Sequence, residues 1–173
     1  EVEEYVKCRN NIVYFLKNYV KVIHVDHGLI PFDLYDYQED LINTLEEHRY
    51  VIVKSARQSG KSVTSLGYIL HYILFNKTKI VGMLANKAST SRELLGRLQT
   101  AYQHLPKFLQ QGIVEWNKGN LELENGSKII ASSTSSSAIR GYSFSLLFLD
   151  EFAFVQRTIA DAFIKSVYPT ISS

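Results

Sequence analysis

Apolar residues recur three or four apart at Val2, Tyr5, Val6, Ile12, Phe15, Leu16, Tyr19 and Val20, which predicts one or two amphipathic helices over residues 2–23. His24-Val-Asp-His-Gly28 and Leu29-Ile-Pro31 then read as a loop. Leu34 to about Glu47 returns to helical spacing. Tyr50-Val-Ile-Val-Lys54 is a β-branched run and reads as a strand. Val63, Leu66, Ile69, Leu70, Ile73 and Leu74 mark a helix from Val63 to Phe75. Lys79–Ala85 is a second apolar strand, joined to the first through that helix in a βαβ unit. The polar loop 86–91 caps a helix from Arg92 to His104, or touches a nucleic-acid backbone.

Three further β-rich runs follow: Gly112–Trp116, Asn120–Glu124 and Ser127–Ala131. Asn125-Gly126 between the last two is a strong hairpin signal, so antiparallel structure is inserted into an otherwise α/β pattern. Trp116 reads as a packing residue. Ser132–Ala138 is a Ser/Thr-rich loop, Ser145–Leu149 an apolar strand, and Ala160–Val167 a helix before Pro169. The fold class expected is α/β, with a mostly parallel sheet flanked by helices and an inserted β-hairpin.

The strand, loop and helix around Ser55-Ala-Arg-Gln-Ser-Gly-Lys-Ser62 give a chemical reading. This is the spacing of a P-loop, G-x-x-x-x-G-K-[ST], with Ser55 in place of the first Gly. Backbone N–H groups of Ser55, Ala56, Arg57, Gln58, Ser59 and Gly60 would face phosphate oxygens. Lys61 would place its charge on the β- and γ-phosphates of ATP, and Ser62 its hydroxyl on Mg²⁺. Gln38 lies upstream, and its amide can read an adenine edge; an exposed helical Gln is the plainer alternative.

Asp150-Glu151 is the second anchor. An apolar strand delivers the pair at its carboxyl end, where open α/β sheets bind ligands. Downstream of a P-loop this reads as a Walker B element. Asp150 would hold Mg²⁺ through water, and Glu151 would deprotonate the attacking water. An acidic helix start is the alternative. Arg140 sits beside small residues, either reaching out of its own subunit or simply solvated. His24 and His27 have H-x-x-H spacing without a further ligand pair, which favours a plain loop over a zinc site.

The 173 residues suit one domain, and a net charge of +2 does not by itself argue for a nucleic-acid partner. No apolar run approaches the roughly 20 residues of a membrane span. No signal peptide opens the chain. Cys8 is the single cysteine and cannot pair within the chain, which fits a reducing compartment. The chain lacks an initiating Met and is expected to be a piece of a longer protein, truncated at its C-terminus.

Asp26-His-Gly-Leu-Ile-Pro-Phe32, Tyr35-Asp-Tyr-Gln38, the Arg57-Gln58 pair inside the P-loop, Gly112–Gly119, Arg140-Gly141 and Leu147–Ala153 together resemble the large terminase subunit of tailed bacteriophages, T-even-like type. The resemblance implies an ATP-hydrolysing motor that translocates double-stranded DNA into a prohead. It implies a P-loop NTPase fold of the additional-strand, RecA-like type, in which Ser55 is an ordinary departure. Residues 1–34 would lead into an ATPase domain at 35–173, with the nuclease domain and the coupling motif lying beyond this chain.

By the same resemblance Gln38 contacts adenine, and Arg57 reaches or senses the γ-phosphate. Arg140 matches a finger toward a neighbouring subunit's nucleotide. The implied partners are viral DNA, the portal protein, the small terminase subunit and further copies in a ring. The implied location is the cytoplasm of the infected host, transiently at the portal and not in the mature virion. Another P-loop translocase or helicase, and a nucleotide-binding fragment without turnover, are the alternatives.

Overall fold

The structure is a computed structural model that describes residues 1–56, 60–152 and 157–166. It divides into two compact units, Glu1–Phe75 with Arg97–Gln110, and Asn76–Gly96 with Gln111–Ser173.

The first unit opens with α1 (Val2–Asn10) and α2 (Ile12–Tyr19). Asn11 separates them, with φ at −141°, and its side chain accepts the Tyr14 N–H at 3.0 Å to cap α2. Lys21–His24 (β1) and Gly28–Pro31 (β2) pair antiparallel, so the loop expected at 24–31 is a hairpin, and residues 21–23, expected to be helical, form most of its first strand. Its signal is short because each strand has four residues and both are largely exposed. Gly28 takes φ +67° at the turn, a conformation that favours glycine.

Two more helices complete this part of the unit, α3 (Asp36–Glu47) and α4 (Lys61–Phe75). Of the predicted stripe on α4, Leu66, Ile69, Leu70, Ile73 and Leu74 are all at most 6% exposed, while Val63 in the first turn is half-buried. Phe15 of α2 packs edge-on against Phe75, with ring centroids 5.6 Å apart. A Cβ at Gly67 would lie 2.8 Å from Leu16 Cδ2, so glycine lets α2 and α4 approach closely.

The strand expected at Tyr50–Lys54 is not formed. Among the described residues it belongs to neither sheet, and Ile52 is 97% exposed. Its β-branched composition favours extended backbone, but a strand also needs a neighbour to complete its ladder. Among the described residues the βαβ unit expected from this run is therefore not formed either.

The second unit is built on a five-stranded sheet in the order β4-β5-β6-β3-β7. Its strands are β3 (Ile80–Ala85), β4 (Ile113–Trp116), β5 (Asn120–Leu123), β6 (Lys128–Ser133) and β7 (Leu146–Leu149). The sheet is mixed rather than mostly parallel. β3 runs parallel to β6 and β7, whereas β4–β5 and β5–β6 are antiparallel. The inserted hairpin is therefore part of the main sheet, because β6 pairs with β5 on one edge and with β3 on the other.

Val81, Gly82, Met83, Leu84 and Ala85 are all buried, as a central strand covered on both faces requires. The Asn125-Gly126 turn joins β5 and β6 as predicted, with Gly126 at φ +86°. Leu84, Ile130, Ile139 and Phe144 pack with Phe163 of α6 (Arg157–Ser166). A further helix, α5 (Ala88–Gln103), begins four residues before the predicted start at Arg92.

Candidate functional site

Gly60 and Lys61 form the entry to α4 in the first unit. Gly60 has φ +75°, and a Cβ there would lie 2.6 Å from Gln38 Nε2, so both backbone and space require glycine. Its carbonyl accepts the Thr64 N–H at 3.0 Å and the Thr64 hydroxyl at 2.8 Å. Helix geometry leaves the N–H groups of Lys61, Ser62 and Val63 outside the intrahelical ladder and at the positive end of the dipole. Lys61 Nζ lies 3.4 Å from the Ser55 carbonyl oxygen, across the loop. A glycine in the left-handed region, a helix N-terminus and a lysine beside it suit an anion. Ser55 and Ala56 are exposed, while Arg57, Gln58 and Ser59 lie outside the described residues.

Gln38 is brought to this point by the start of α3. It is 4% exposed, so it is not the exposed helical glutamine that sequence left open. Its Oε1 accepts the Tyr35 N–H at 2.9 Å, and its Nε2 donates to the Gly60 carbonyl at 3.3 Å. The neighbouring Tyr35 and Tyr37 rings stack at 5.8 Å and are both exposed.

In the second unit the parallel strands β3, β6 and β7 end on one edge of the sheet. Asp150 continues β7 there, its N–H donating to the Leu84 carbonyl at 2.9 Å. Glu151 follows with φ +49°, a left-handed conformation that non-glycine residues adopt at a cost of about 1–3 kcal/mol. Its side chain is exposed. On the same edge Thr134 N–H donates to the Ala85 carbonyl at 3.0 Å. The chain then forms a 3₁₀ turn, Ser137–Gly141, in which Ile139 is buried and Arg140 exposed. The burial of Ile139 anchors the turn that presents Arg140.

The family described as terminase large subunit, T4likevirus-type, N-terminal, matches residues 52–164. The chain belongs to the large terminase subunits. The crystal structure of the HK97 bacteriophage large terminase is similar in fold, with a TM-score of 0.72 and 20% sequence identity. The similarity covers 91% of this chain and 34% of the HK97 chain, so this terminase chain spans about a third of that protein's length.

Within the terminase match fall Gly60, Lys61, Ser62, Arg140, Asp150 and Glu151. Gln38 lies outside it. Two features of this terminase chain escaped the sequence reading. Thr64 is fully buried and supports the Gly60 carbonyl, which helical periodicity alone does not reveal. The Gln38 bond to Tyr35 is one half of a capping box, legible in principle as a Gln three residues after the residue that precedes α3. His24 and His27 stack with ring centroids 4.9 Å apart. Among the described residues no helix is long and apolar enough to cross a membrane.

Proposed function

We propose that this chain is the ATP-hydrolysing motor portion of a viral DNA-packaging terminase, which drives double-stranded DNA into a prohead. The observation that carries the reading is the entry to α4, where Gly60 at φ +75° delivers Lys61 to a helix N-terminus. This arrangement favours a polyphosphate by charge, by backbone donors and by dipole.

Lys61 contacts the β- and γ-phosphates, and Arg57 the γ-phosphate. In this reading the backbone N–H groups of Ser55 to Gly60 would face the phosphates, and Gln38 the adenine. The Ser62 hydroxyl and Asp150 carboxylate are oxygen donors of the kind that Mg²⁺ takes, and they would hold it. Mg²⁺ held there would supply positive charge to the transferred phosphoryl group. Glu151 accepts the proton of the attacking water, and Arg140 reaches toward the nucleotide of an adjacent subunit in a ring. DNA, the portal and the small terminase subunit are the partners, met in the cytoplasm of the infected host.

Titration calorimetry with Mg²⁺-ATP on the intact protein tests the reading. Wild type is expected to bind, and Lys61→Ala to lose binding while keeping its circular dichroism spectrum. Equal binding by a folded Lys61→Ala protein overturns it.

A further inference from the structure

We infer that Gln38 is a positioning residue for the phosphate loop, acting through the Gly60 carbonyl. The inference rests on the ATPase reading above and adds to the adenine contact proposed there. Gln38 needs only Oε1 to serve its own helix, where it accepts the Tyr35 N–H. That bond fixes the amide orientation, because an N–H must meet an oxygen, and so turns Nε2 away from Tyr35. Nε2 then reaches 22 residues along the chain to the Gly60 carbonyl at 3.3 Å. The side chain is buried, so water does not compete freely for this bond.

The peptide plane supplies the link to phosphate. Gly60 C=O and Lys61 N–H belong to one planar trans peptide and point in opposite directions. Three donors converge on the carbonyl: Gln38 Nε2, Thr64 N–H and Thr64 Oγ1. Holding the carbonyl on that side aims the Lys61 N–H away from Gln38 and fixes the direction in which the first helical donor points. The Thr64 bonds lie within α4 and form wherever that helix forms. The Gln38 bond ties the plane to another helix, α3.

The amide keeps one further N–H and one acceptor lone pair. A base read by those groups would be read by the same side chain that orients the loop. Gln38 therefore affects polyphosphates that carry no base at all.

The test uses the intact protein and three probes, each with Mg²⁺: ATP, GTP and inorganic tripolyphosphate. Calorimetry compares wild type, Gln38→Ala, Gln38→Glu and Lys61→Ala, with circular dichroism and thermal unfolding run beside it. Gln38→Ala is expected to weaken tripolyphosphate by about threefold to tenfold, the worth of one hydrogen bond, and ATP by at least that factor. Gln38→Glu keeps an acceptor for the Tyr35 N–H, and so keeps the start of α3, but sets an oxygen against the Gly60 carbonyl. It is expected to lose at least as much tripolyphosphate binding while keeping the wild-type circular dichroism spectrum, at some cost in melting temperature. Wild-type tripolyphosphate affinity in either folded variant overturns the inference, whatever happens to ATP. Loss of tripolyphosphate binding in Lys61→Ala, with both Gln38 variants normal, overturns this inference alone. A wild type that binds neither ATP nor tripolyphosphate overturns the ATPase reading and this inference together.

Discussion

His71 Nε2 lies 2.9 Å from the backbone carbonyl oxygen of Cys8, so a buried ring on α4 closes the C-terminal end of α1. Cys8 is among the last four residues of α1, whose carbonyls have no partner within the helix. The neutral ring must carry its proton on Nε2 to donate there. Burial lowers the His71 pKa from the ordinary 6.5 to about 4, against the smaller opposing effect of its backbone hydrogen bonds.

A pH dependence follows from that depression. Between about 6.5 and about 4 the unfolded chain binds a proton at His71 that the folded chain refuses. Stability from this site is complete above pH 6.5 and is lost as pH falls toward 4. The loss reaches at most about 3 kcal/mol. Urea unfolding at several pH values, for wild type and His71→Phe, checks it. The variant is expected to be less stable at pH 7, because the Cys8 carbonyl loses its donor, and to show a shallower decline with acid. Parallel curves for the two proteins would refute the assignment.

Gly82 in the middle of β3 is a packing requirement. A Cβ there would stand 2.6 Å from Leu147 Cδ2 and 3.0 Å from Phe144 Cε1. Gly82→Ala is expected to cost about 1–3 kcal/mol by overpacking, read as a lower urea midpoint with an unchanged slope. An unchanged midpoint would mean that Leu147 and Phe144 move aside freely.

Glu151→Gln removes the proposed base and keeps its shape. Nucleotide binding is expected to persist, while ATP turnover in the intact protein falls by about 10²–10⁴-fold. Single-turnover hydrolysis beside calorimetry separates the two effects. Normal turnover would assign the base elsewhere.

Arg140, exposed on a turn anchored by Ile139, makes a prediction for mixtures. If it serves a neighbour's nucleotide, Arg140→Ala and Glu151→Gln subunits are each inactive alone. Mixing them recovers some turnover, because certain interfaces then hold an intact Arg and an intact Glu. No recovery at any ratio, with co-assembly confirmed by sedimentation, would place Arg140 in its own subunit's chemistry.

The helices were legible where a buried stripe is long. Leu66 to Leu74 spans more than two turns, and each apolar position on it found the core. The Asn125-Gly126 turn was legible because its geometry is local. What escaped depends on distant partners. Tyr50–Lys54 has strand composition, yet composition does not supply a neighbouring ladder, and Ile52 is left exposed. The hairpin at Lys21–Pro31 has too few residues on a buried face to show alternation. At the site, the glycine and lysine of the loop were visible as spacing. That Gln38 is buried and bonded to Gly60 was not, because the two lie 22 residues apart, one in α3 and the other just before α4.

The left-handed backbone at Glu151 sets a conflict for anyone engineering this protein. Asparagine tolerates that conformation better than glutamate does. A screen that rewards heat resistance alone would favour Glu151→Asn and return a sturdier protein without its proposed base. Libraries designed for robustness should hold position 151 fixed, and a gain there should be scored as a warning rather than a success.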